Sequence, residues 1–147
     1  MILLLDTHLL LWAAGQPERL SAAATALLLD PSHELLFSAA SIWEVTIKSG
    51  LERDDFQVDP RRFWRMLLTH DYRELPVRSE HTIAVGDLPL LHKDPFDRLL
   101  IAPARTEGLT LLTTDALQTA TRTDPTGKRS VQRLSGSRQD RLHLGVR

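Results

Sequence analysis

Met1-Ile2-Leu3-Leu4-Leu5-Asp6-Thr7-His8 opens the chain. Its apolar run is too short for a helix face and stops at a carboxylate, so it reads as a buried strand delivering Asp6 to its carboxyl end. Residues 7–14 follow at once with an apolar helical segment, closed by Gly15 with Pro17 beyond. The same alternation repeats downstream. Ser21 is placed to cap a helix over 22–29, and 34–37 is a second short strand. A helix from Ser38 or Ser41 runs through Lys48 to Gly50. Asp59-Pro60 is a cap with proline in the first turn, opening a helix over 61–70. A third strand is expected at 73–77, and Ser79 is expected to cap a short helix to Val85. Asp94-Pro95 opens a helix reaching Glu107, stopped by Gly108, and a fourth strand over 109–113 leads to Thr114-Asp115. Strands alternating with helices predict an α/β fold whose parallel sheet is covered on both faces.

A chain of 147 residues with 42% hydrophobic content fits one domain, large enough to bury about two-thirds of its unfolded surface. The absence of cysteine excludes disulfides, thiolate metal sites and a thiol nucleophile. The apolar start lacks the length and basic flank of a signal peptide, and nothing approaches a membrane span, so the cytoplasm is the expected compartment. Net charge is −1 but unevenly spread: residues 1–120 hold 11 Lys/Arg against 17 Asp/Glu, and residues 121–147 hold 7 against 2. An acidic body offers nucleic acid no attraction of its own, so a cation or local Lys/Arg would have to mediate. From Thr121 the apolar period stops, which predicts a globular unit over 1–120 and a basic, flexible tail over 121–147 with no further strand.

Four acidic positions stand at or near helix starts: Asp6, Glu44, the Asp94/Asp97 pair and Asp115. Each has a bland explanation. Asp6, Asp94 and Asp115 sit where N-caps belong, a role worth about 1 kcal/mol, and Ser41-Ile42-Trp43-Glu44 fits a capping box. Their joint placement says more. Ligands of open parallel sheets bind beyond the carboxyl ends of the strands, where Asp6 and Asp115 both point. Glu44 is too deep to cap anything if its helix begins at Ser38. Two carboxylates about 4 Å apart repel by about 4 kcal/mol at an effective dielectric near ~20, so such a cluster must take up protons or hold a cation. All-oxygen ligands suit Mg²⁺ or Mn²⁺.

Four stretches follow one another along the chain: Leu3-Leu4-Leu5-Asp6-Thr7-His8-Leu9-Leu10-Leu11-Trp12-Ala13, Phe37-Ser38-Ala39-Ala40-Ser41-Ile42-Trp43-Glu44, His92-Lys93-Asp94-Pro95-Phe96-Asp97-Arg98-Leu99-Leu100-Ile101-Ala102 and Leu109-Thr110-Leu111-Leu112-Thr113-Thr114-Asp115. In that order they resemble the motifs of PIN-domain ribonucleases, and among them the VapC toxins of type II toxin–antitoxin modules. The resemblance implies a three-layer α/β/α fold with the nuclease domain over 1–120. It also implies an acidic site for Mg²⁺ or Mn²⁺ built from Asp6, Glu44, Asp97 and Asp115, endonucleolytic cleavage of RNA, a VapB-like antitoxin and a homodimer. Asp94 stands one helical turn before Asp97 as ligand or cap. Thr7, Thr114 and Arg98 are candidates to touch substrate, although the threonines have equally good structural roles.

Two departures from that pattern stand out. Pro103 falls inside a helix, where a missing amide costs about 3 kcal/mol and predicts a kink. No final apolar strand is visible after Ala120. Lys48, Arg53, Lys93 and Arg98 are the basic candidates for phosphates, or simply solvated helix faces. His8 and His92 flank acids, but Mg²⁺ does not favour imidazole. Trp12, Trp43 and Trp64 read as core or partner-packing residues rather than base-stacking ones. Two rival readings are a hydrolase with an aspartate nucleophile, which wants a second Asp where His8 stands, and a catalytically disabled PIN-like domain kept for protein interaction.

Overall fold

A computed structural model describes residues 1–51, 57–89, 94–113, 119–123 and 129–133. Strand β1 (Ile2–Leu5) lies at the centre of a sheet ordered β3-β2-β1-β4-β5-β6. It pairs in parallel with β2 (Glu34–Ser38) and with β4 (Thr110–Leu112), and β2 pairs in parallel with β3 (Arg73–Leu75). A strand with parallel neighbours on both sides is covered above and below. Leu3, Leu4 and Leu5 are accordingly all fully buried, and a continuous apolar run suits that place where alternation would not.

The pleat divides the core in two. Leu3, Leu5, Phe37 and Leu112 face one side, packing with Leu9, Leu10, Leu28, Val45, Phe63 and Leu67 of helices α1 (Thr7–Gly15), α2 (Ala22–Leu29), α3 (Ala39–Gly50) and α4 (Pro60–Thr69). Leu4, Leu36 and Leu111 face the other, against Leu100 and Ala104 of α6 (Pro95–Thr106). This is the three-layer α/β/α arrangement expected from the sequence.

Local chemistry sets the helix starts. Asp6 accepts from the Leu9 amide at 2.8 Å, Ser21 from Ala24 at 3.0 Å and Ser38 from Ala40 at 3.0 Å. Asp59 and Asp94 cap helices whose first residues are Pro60 and Pro95. Ser38 is therefore the cap of α3, which places Glu44 in the interior of that helix.

Two expectations are corrected. Helix α5 (Ser79–Ala84) begins at Ser79 rather than being capped by it: the position before is Arg78, whose amide donates to His81 Nδ1 at 3.0 Å. As expected, α6 runs on past Pro103, which lies buried inside it, to Thr106. The sheet also continues past Ala120. Strand β5 (Thr119–Thr123) runs antiparallel to β4, with Leu111 opposite Thr121, and β6 (Arg129–Arg133) runs antiparallel to β5. Alternating β-branched Thr119, Thr121 and Thr123 favour extended backbone without apolar periodicity. Residues 134–147 of the expected tail lie outside the described residues. Among the described residues no helix is long and apolar enough to cross a membrane.

Candidate metal centre

The carboxyl edge of the sheet collects the acids. Asp6 leaves β1, half-buried, and its amide donates to Leu112 O at 3.0 Å, so the end of β4 lies against the end of β1. Asp115 and Thr114, together with Arg53, His92 and Lys93, fall outside the described residues. The strand leading toward Asp115 nonetheless ends beside Asp6.

Glu44 projects from the second turn of α3 and is only 3% exposed. Its Oε1 lies 3.5 Å from Lys48 Nζ, while Oε2 is buried without a hydrogen-bond partner. Leaving such an oxygen unmet costs about 1–3 kcal/mol or more for a charged group, so its persistence points to a cation that completes it.

Asp97, in the first turn of α6, lies at the mouth of the cluster. Partial burial is the first cause raising its carboxyl above the usual carboxylate range; the charges of Asp94, Glu44 and Asp6 follow, opposed by His8. These influences place the carboxylates of Asp94, Glu44 and Asp6 within electrostatic reach of Asp97. Asp94 also does what a cap does, accepting from the Phe96 amide at 2.8 Å and the Asp97 amide at 3.4 Å through Oδ1. The Trp43 ring meets Phe96 edge-on, with centroids 5.0 Å apart, and so ties α3 to the first turn of α6 beside Glu44 and Asp97.

The candidates for substrate contact are held by their own partners. Thr7 is buried and its hydroxyl donates to Ser41 Oγ at 3.0 Å, fastening α1 to α3. Arg98 donates to the Val85 carbonyl at 2.9 Å, anchoring α6 to the turn after α5. Ser41 was legible only as part of a capping box, and nothing in its sequence context signals this inter-helix bond.

Among the described residues, the group whose ligand atoms stand closest together is not the acidic edge but another, of which the sequence gives no sign. Glu80, His81 and Glu107 bring three ligand atoms within 4.8 Å of one another. The hydrogen bonds favour another role. Because His81 Nδ1 accepts the Arg78 amide, the neutral ring carries its proton on Nε2, which donates to Glu107 Oε1 at 3.0 Å. A metal at Nε2 would force that proton onto Nδ1, against the Arg78 N–H. The fully buried imidazole thus clamps α5 to the end of α6. His81→Leu is expected to destabilise the fold by about 2–3 kcal/mol, by stranding the Arg78 amide and Glu107, and thermal denaturation measures it. A melting temperature unchanged by that substitution would show the clamp to be incidental.

The fold and the acidic edge together define a PIN domain: the family's sequence profile matches residues 3–122, and the chain belongs to that family. Within it the chain is VapC-like. It is 31% identical over 113 residues to ribonuclease VapC22 of Mycobacterium tuberculosis, covering 76% of this chain and 85% of that protein. The VapBC2 structure from Rickettsia felis, bound to a promoter DNA fragment, superposes with a TM-score of 0.60 at 19% identity, over 78% of this chain and 89% of that one. VapBC-1 of nontypeable Haemophilus influenzae gives 0.53 at 18% identity, over 78% and 87%. Those two likenesses are likenesses of fold.

Proposed function

We propose that this chain is a Mg²⁺- or Mn²⁺-dependent endoribonuclease acting as the toxin of a type II toxin–antitoxin pair in the cytoplasm. The observation that carries the reading is the buried Glu44 Oε2 without a hydrogen-bond partner among the described residues, on a side chain whose charge is felt by Asp97. Kinship to a protein named a ribonuclease supports it. Asp6, Glu44 and Asp97 would hold the ion, joined by Asp115, with Asp94 capping α6 and adding negative charge. Such an ion, when bound, supplies Lewis-acid polarisation of the scissile phosphate and a water of lowered pKa. The chain's own part is positioning. Helix α1 fixes Asp6 through its cap, the Thr7–Ser41 bond sets α1 against α3, and the Trp43–Phe96 contact sets α3 against Asp97. Glu44 or Asp115 orients or deprotonates the attacking water.

The partners proposed are a VapB-like antitoxin and a second copy of the chain. Solved relatives include a toxin–antitoxin complex from Klebsiella pneumoniae. Support on this molecule is an uncovered apolar face: Trp43 and Ile47 on α3, Leu51 just past its end, and Trp64 and Leu68 on α4 recur every four residues. A groove of about 790 Å³ beside it is lined by Ile42, Thr46, Pro60 and Trp64 and rimmed by Arg61 and Arg65.

Incubating the purified protein with total RNA tests the activity. Discrete fragments are expected with Mg²⁺, and none with EDTA. RNA left whole in both conditions would instead favour a disabled PIN-like interaction domain.

A further inference from the structure

The two oxygens of Glu44 are not equivalent. Oε1 faces the ammonium of Lys48, one helical turn along α3, while Oε2 has no hydrogen-bond partner among the described residues. Lys48 lies in the last turn of α3, where a cation is favoured by the helix carbonyls, and its side chain is one-third exposed. Building on the metal reading above, we propose that Lys48 takes the place of a second divalent ion, so that the pocket holds one Mg²⁺ or Mn²⁺ and one fixed ammonium.

The argument is one of space and charge. In two-ion centres the ions stand about 3.5–4 Å apart and share carboxylates between them. Glu44 is the most deeply buried acid of the cluster and the natural bridge, yet its Oε1 side already carries a positive charge at 3.5 Å. A dication seeking that oxygen would meet the ammonium at close range and be repelled by it. The ion at Oε2 suffers less, because the rest of Glu44 lies between it and Lys48, and Asp6 and Asp97 attract it. Lys48 therefore neutralises half of what a second ion would, without needing to be bound from solution.

Counting bound Mn²⁺ by calorimetry and by electron paramagnetic resonance tests this on the full chain. Wild type is expected to bind one ion with an uncoupled spectrum. Lys48→Met frees Oε1 and is expected to bind two, with the line pattern of a spin-coupled pair, while Lys48→Arg stays at one. Lys48→Gln repeats the measurement should the Met variant lose its circular dichroism. Two ions in wild type, or one in the folded neutral variant, would overturn the role of Lys48 while leaving the metal pocket standing. No bound ion in wild type at millimolar Mn²⁺ would overturn both.

Discussion

Asp97→Asn is expected to lower Mg²⁺-dependent RNA cleavage by at least about 100-fold while raising the melting temperature of the metal-free protein at neutral pH. The activity loss follows from removing a ligand, since even the outer partners of metal ligands cost 10- to ~100-fold in affinity or activity. The stability gain follows from the direction of the carboxyl's shift. Partial burial and the charges of Asp94, Glu44 and Asp6 raise its folded pKa above the ordinary 3.8. A group raised in this way contributes stability below its unfolded pKa and loses it as pH rises through its folded value. At neutral pH the ionised Asp97 is thus a net cost to the metal-free fold, and asparagine removes the charge with little change of shape. Metal-free melts from pH 4 to 7 should show a smaller loss in the variant than in wild type. A variant that loses both activity and stability would mean that Asp97 holds the fold together, as a cap residue would.

Adding Mn²⁺ or Mg²⁺ should reverse the same cost. A ligand at a hundred times its dissociation constant stabilises the native state by about 2.7 kcal/mol, which in a domain of this size raises the melting temperature by roughly 5–10 °C. EDTA should abolish the gain. The effect is large because one dication relieves together the repulsions that Asp94, Glu44 and Asp6 exert on Asp97. Glu44→Gln, which converts the unpartnered carboxylate into an uncharged amide, should shrink the shift to a small fraction of its wild-type value. An equal shift in that variant would place the stabilising ion elsewhere, with Glu80 and Glu107 the first place to look.

The central strands were legible because burial on both faces leaves a simple trace, and Leu3-Leu4-Leu5 admits few other readings. Helix starts at Asp6, Ser21, Asp59 and Asp94 were legible for a chemical reason, since a short oxygen-bearing side chain before an apolar period has few better uses. The hairpin over Thr119–Thr123 and Arg129–Arg133 was not, because its strands carry no apolar alternation and are specified by pairing onto β4. The site divides in the same way. Asp6, Glu44 and Asp97 could be picked out by type and spacing, and Asp97 feels the charges of Glu44 and Asp6 from two other segments. That Thr7 would turn inward to Ser41, and that His81 would join Glu107 across 26 residues, depends on distances between helices that no local pattern encodes.

Soaking crystals of the protein in Mn²⁺ and locating the ion by anomalous diffraction tests the metal pocket most directly. One peak about 2.1 Å from Glu44 Oε2 and from carboxylate oxygens of Asp6 and Asp97 is the expected result. A peak between Glu80 and Glu107 with none at Glu44, or no peak at all, would contradict it.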